Sequence, residues 1–130
     1  MVIFFKKIFK HWLPVFLWAI LIFYLSNQPD LKSGLEFDFY LRKAAHVSVY
    51  FVLTYLLFRS FKAHNLTYKK AMAFSAVIAF LYAASDEWHQ SFVFGREGKI
   101  SDVTIDGFGV LFYFFYYRLK NLGVIGRQIG

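Results

Sequence analysis

Four long apolar stretches, separated by short polar connections, organise this chain of 130 residues. They fall at about residues 8–26, 44–61, 71–92 and 102–119. Each comes close to the roughly 17–25 residues an α-helix needs to cross a hydrocarbon core. None carries the polar face that a helix packed against water must show. The pattern predicts an all-α fold: an integral membrane four-helix bundle, one domain over 1–130, rather than a soluble bundle of unusually apolar helices. Pro14 falls in the first turns of the first helix and Pro29 just beyond its end, both tolerated positions. The opening MVIFFKKIFKH and the apolar run behind it have the layout of a signal peptide. They lead into SNQPD with no small-residue cleavage site, so the run reads as a retained helix. The tail NLGVIGRQIG has three glycines and no periodicity, and reads as frayed.

Composition agrees with this pattern. Apolar residues make up 58% of the chain and charged residues only 18%, against about 25% charged in an ordinary soluble domain. The absence of cysteine excludes disulfides and thiolate metal sites. A net charge of +7 raises nucleic acid as a partner, and its distribution argues against one. Ten of the fifteen basic residues lie in the N-terminal segment, the second connection and the tail (Lys6, Lys7, Lys10, Arg59, Lys62, Lys69, Lys70, Arg118, Lys120, Arg127). All eight acids belong to the first and third connections and the helix ends beside them: Asp30, Glu36, Asp38, Asp86, Glu87, Glu97, Asp102 and Asp106. By the positive-inside rule both termini are cytoplasmic, an N-in/C-in bundle with its acids facing outward. The rings of FYFFYYR at the end of the fourth stretch suit the membrane interface better than a stacking platform for bases.

Three polar groups stand at the outward ends of apolar helices. In RKAAHVSVY, Arg42, His46 and Tyr50 are spaced by four and share a face, with Lys43 beside Arg42. In DEWHQ, Asp86 shares a face with His89 and Gln90, while Glu87 points about 100° away. In SDVTIDGFG, Asp102 and Asp106 are four apart, and Asp106 lies a turn deeper than a helix cap requires. Ionisable side chains within lipid face a bundle interior or a cavity and find partners. The three faces are therefore expected to converge on one outward pocket, with Arg42 and Arg96 supplying positive charge. The plainer alternative for His46 is an interhelical hydrogen bond, and for Asp86 and Asp102 a solvated helix end. Gly107 and Gly109 suit close helix packing. A histidine with two acids suits general acid–base work or a divalent metal. No HExxH-type signature is present, so spacing leaves these open, and no cofactor is required by it.

Taken together, SNQP, RKAAHVSVY, YAASDEWHQSFVFGREGKISDV and TIDGFG resemble the VanZ-like family of bacterial integral membrane proteins. The resemblance spans Ser26 to Leu111, in the family's order and spacing. It maps the family pattern onto Arg42, Lys43, His46, Tyr50, Asp86, Glu87, His89, Gln90, Arg96, Asp102, Asp106 and Gly109. Phe94 stands where relatives often have proline, a change in the turn's shape rather than its charge. The resemblance implies a role at the cell envelope and a link, through the family's namesake, to low-level teicoplanin resistance.

Three function classes follow. One is a membrane protein whose pocket binds an anionic lipid or a lipid-linked cell-wall precursor. A second is a hydrolase or transferase acting on a lipid phosphate or head group, with His46, Asp86 and Asp102 as catalytic groups. In either case Arg42, Lys43, Tyr50, Glu87, His89, Gln90, Arg96 and Asp106 would contact the ligand. The third is a structural partner of a larger membrane complex.

Overall fold

The computed structural model describes residues 1–29, 34–96 and 98–128, the side chains of 2–4 and 124–128 excepted. Asp30, Lys32 and Glu97, which enter the charge pattern above, lie outside the described residues, as does the side chain of Arg127. Four helices make up the fold, and no strand occurs among the described residues: α1 (Val2–Ser26), α2 (Asp38–Ala63), α3 (Tyr68–Gln90) and α4 (Ile100–Gln128). Three boundaries differ from the sequence reading by more than a helical turn. α1 starts at Val2, well ahead of the apolar stretch. α2 starts at Asp38, because this acid sits favourably in the first turn of the helix and pairs with Arg42 one turn on, Nε to Oδ2 2.9 Å. α4 runs through the tail that was expected to fray, to Gln128. An isolated glycine costs a helix about 1 kcal/mol and does not by itself stop it.

Consecutive helices run antiparallel. At one end Ser60 Oγ of α2 donates to the His11 carbonyl of α1 (2.8 Å), and Tyr68 of α3 stacks on Tyr117 of α4 (5.3 Å). This end holds most of the basic residues. At the other end Ser26 of α1 meets Asp86 of α3, and His46 of α2 meets Asp106 of α4. α1 packs on α2 and α3, fixed by Trp18 Nε1–H to the Val49 carbonyl (2.9 Å) and Tyr82 O–H to the Ala19 carbonyl (2.6 Å). Among the described residues it does not pack on α4.

The interior is polar for a protein this apolar. Thr54, Ser60, Ser75, Asp86, Glu87, Gln90 and Asp106 are buried together with Tyr50, Leu53, Leu57 and Val110. Phe16, Ile20, Phe74, Val77, Leu81, Leu111 and Phe115 face outward instead. Two described helices are long and apolar enough to cross a membrane, over Phe5–Ser26 and Asp38–Ala63. α3 and α4, which carry Asp86, Glu87, Asp102 and Asp106, do not reach that hydropathy.

α2 and α4 meet at Gly109. A Cβ there would overlap the Val47 carbonyl oxygen and come within 3.0 Å of the Phe51 nitrogen, so only glycine permits this approach. At Gly107 a Cβ would meet only the Phe80 ring, at 3.7 Å, an ordinary contact. Gly109→Ala is expected to destabilise the bundle by about 1–3 kcal/mol through overpacking. Gly107→Ala is expected to be neutral or slightly stabilising, because alanine is the better helix former. Thermal unfolding of both variants in detergent, followed by helical circular dichroism, separates them.

Candidate functional site

The site grows out of the packing stripe of α3. Ala71, Ser75, Ala79 and Ala83 recur every fourth residue and are all buried. Small side chains there let the neighbouring helices approach closely. Three, four and seven residues beyond Ala83 come Asp86, Glu87 and Gln90, so the stripe carries them into the interior. Each is at most 5% exposed. His89 falls off this face. Its ring stacks on Phe23 of α1 at 4.7 Å, and its Nε2 lies 3.3 Å from Asn27 Oδ1. The grouping read from DEWHQ alone is thus changed: Glu87 lies inside with Asp86 and Gln90, and His89 lies outside them.

Glu87 joins a compact trio. His46 Nδ1 lies 2.8 Å from Asp106 Oδ1 and 3.9 Å from Glu87 Oε1. Asp106 has no exposed surface and Glu87 is 4% exposed. The other Glu87 oxygen, Oε2, accepts the Lys99 backbone N–H at 3.1 Å. Gly98 makes that contact geometrically feasible. A Cβ at Gly98 would overlap the Glu87 carbonyl oxygen and come within 3.0 Å of the Ser91 nitrogen, so the loop can press onto the end of α3 only as glycine. A turn outward along α4, Asp102 is ion-paired with Lys43.

A second network lies beside the trio. Asp86 Oδ2 accepts from Ser26 Oγ (2.8 Å) and from Gln90 Nε2 (3.0 Å), and Gln90 Nε2 also reaches Ser26 Oγ at 3.3 Å. Gly95, at φ +76°, turns the chain back so that Arg96 reaches the end of α1. Arg96 donates Nε–H to the Gln28 carbonyl (3.0 Å), Nη2–H to the Leu25 carbonyl (2.9 Å) and Nη1–H to Gln90 Oε1 (3.5 Å). The carbonyls at a helix C-terminus have no partner within the helix, and Arg96 supplies one from the loop. Burial draws its pKa down from the usual guanidinium value, while Asp86 acts in the opposite direction. An arginine remains charged under either influence. Arg96 is therefore a clamp on α1 before it is anything else.

Between these networks lies a cavity of ≈ 250 Å³. It is lined by the polar side chains of Ser26, Arg42, His46, Tyr50, Asp86, Gln90 and Arg96 and by the apolar ones of Ile22, Leu25, Ala45 and Val49, the two kinds interleaved along α1 and α2. The buried Tyr50 hydroxyl lies beside Asp86, though neither it nor Asp86 Oδ1 makes a hydrogen bond of good geometry. Of the residues singled out from sequence, His46, Tyr50, Asp86, Gln90, Arg42 and Arg96 meet at this cavity. Glu87 and Asp106 stand behind His46, Asp102 and Lys43 pair beside them, and His89 lines a separate depression with Phe23 and Trp88. Two contributors were not singled out from sequence. Ser26 carried a signal as the first residue of SNQP. Gly98 carried only its place in the GREGK turn.

The fold and the site define a small helical protein with ionisable groups gathered inside one end of its bundle. The chain matches the VanZ/LLP1 family over residues 2–121 and belongs to that family. It is similar to the uncharacterized membrane protein YwnJ of Bacillus subtilis (strain 168), at 34% identity over 108 residues, 76% of this chain and 71% of the relative. No solved structure matches it.

Proposed function

We propose that this protein is a multi-pass membrane protein of the cell envelope whose cavity binds the head group of an anionic lipid or lipid-linked cell-wall precursor. The observation that carries this reading is the cavity's mixed lining, in which α1 and α2 contribute both polar and apolar side chains while α3 and the loop after it add the polar Asp86, Gln90 and Arg96. Such a lining suits a molecule with a polar head and a greasy tail. Arg42 and Arg96 in this lining favour negative charge in that head. The apolar outward faces of all four helices support insertion of the whole bundle, α3 and α4 included, since exposed patches of this extent mark a membrane or partner surface. With Lys6, Lys7, Lys10, Lys69 and Lys70 at the opposite end, the positive-inside rule orients both termini to the cytoplasm and the cavity outward.

The test is lipid analysis of the protein extracted in mild detergent. An anionic or lipid-linked species is expected to copurify, and Ser26→Leu, which puts a larger apolar side chain in place of a polar one in the lining, is expected to lose it. Equal lipid content in the two proteins would overturn the reading and leave the structural-partner alternative. Cysteine labelling at Gly34 and Lys69 in intact cells checks the orientation, with Gly34 expected to label from outside.

The His46–Asp106 contact beside the cavity favours one second reading, a membrane hydrolase or transferase using His46 as general acid or base. His46→Ala is then expected to abolish function at unchanged membrane abundance. The link to glycopeptides implied by the family is tested by teicoplanin susceptibility of cells with and without the protein.

A further inference from the structure

We infer that His46, Glu87 and Asp106 together bind one divalent transition-metal cation of the Zn²⁺ or Mn²⁺ kind. The three side chains come from three different helices, and one potential ligand atom from each lies within 4.8 Å of the others. No other trio of histidine and acid among the described residues is drawn together in this way. Ligand atoms at about 2.1 Å from a tetrahedral zinc stand roughly 3.4 Å from one another. The observed separations, 2.8 Å from His46 Nδ1 to Asp106 Oδ1 and 3.9 Å to Glu87 Oε1, straddle that value. Small side-chain rotations would close the set.

An independent observation points the same way. Glu87 Oε1 and Asp106 Oδ2 are buried and have no hydrogen-bond donor. An ionised carboxylate oxygen in that condition is costly, and buried charges are found paired or on metals. The neighbouring cations are committed elsewhere, Lys43 to Asp102 and Arg96 to the end of α1. Glu87 is also held from outside the trio, its Oε2 fixed by the Lys99 backbone N–H. Metal-ligating side chains are commonly oriented by outer contacts of this sort. One imidazole nitrogen with two carboxylates is a mixed nitrogen–oxygen donor set that suits Zn²⁺ or Mn²⁺ better than Mg²⁺ or Ca²⁺, which favour oxygen alone. The cation would take the place of the proton between His46 and Asp106.

This site does not depend on the head-group reading, and its test uses metal alone. The full-length protein in detergent, stripped with chelator, is titrated with Zn²⁺ and with Mn²⁺ by calorimetry, and its thermal midpoint is read with and without metal. One equivalent of Zn²⁺ or Mn²⁺ and a raised midpoint are expected. Glu87→Gln and Asp106→Asn, which keep shape, are expected to weaken binding at least about 100-fold, the upper end of what loss of an outer-shell partner costs. Glu36→Gln, the same charge change at an exposed position, is expected to bind as the wild type does. A Co²⁺-loaded sample gives a second readout, a visible ligand-field spectrum lost on His46→Gln. Absence of binding by the folded wild type would overturn the inference. So would equal affinity in Glu87→Gln and wild type, or a Co²⁺ spectrum unchanged by His46→Gln.

Discussion

Asp106→Ala is expected to produce the largest loss of stability of any single change in this chain, while Asp106→Asn costs far less. Asp106 is fully buried, and its carboxylate is the hydrogen-bond partner of His46. Alanine removes the acceptor and leaves a cavity beside the unpartnered Glu87 oxygen. Breaking a buried polar pair by deleting one partner typically costs about 3–5 kcal/mol. Asparagine keeps the volume and still presents an oxygen to the His46 N–H, so its cost is expected near about 1 kcal/mol. Thermal unfolding in one detergent reads both, with a drop of about 10 °C or more for alanine. Equal midpoints for the two variants would show that Asp106 contributes volume and not a hydrogen bond.

Arg96→Met is expected to be the second severe change, acting at the other network. It deletes donors to the carbonyls of Leu25 and Gln28 and to Gln90 Oε1. Hydrogen bonds from charged groups contribute about 1.5–3 kcal/mol each when well formed. The two short contacts to α1 imply a total near about 2–4 kcal/mol. Arg96→Lys is expected to recover less than half, because an ammonium cannot span three separated acceptors as the guanidinium fork does. Limited proteolysis between α1 and α2 is the direct readout, with faster cleavage expected in the methionine variant than in the lysine variant. Cleavage at the wild-type rate would mean that Trp18 and Tyr82 hold α1 without help from the loop.

Much of this arrangement is legible in the sequence. Four apolar stretches become four helices, and most of the basic residues gather at the end opposite the described acids, as their order along the chain implies. Helical spacing also identifies His46 with Tyr50, and Asp86 with Gln90, on shared faces. The membership of Glu87 and His89 is harder to read, because DEWHQ taken alone has no reference direction. The direction comes from Ala71, Ser75, Ala79 and Ala83 upstream, whose stripe points at Asp86 and Glu87 together. What spacing cannot supply is which helix each group meets. Asp102 and Asp106 share a face of α4, yet one pairs with Lys43 and the other with His46, a choice made by the depth at which α2 and α4 cross. Gly109 sets that crossing. Arg96 reads from sequence as a free cation near a pocket. Its engagement with the end of α1 depends on the left-handed turn at Gly95, a long-range closure that no local pattern encodes.

Among the described residues α1 and α4 do not pack together, and this divides the labour within this small protein. His46, Glu87 and Asp106 all reside on α2, α3 and α4 and need nothing from α1. The cavity, by contrast, loses Ile22, Leu25 and Ser26 if α1 leans away. One helix thus supplies part of the cavity lining, and the other three carry the charged trio. Changes along the α1 seam can therefore reshape the cavity lining without touching the charged trio.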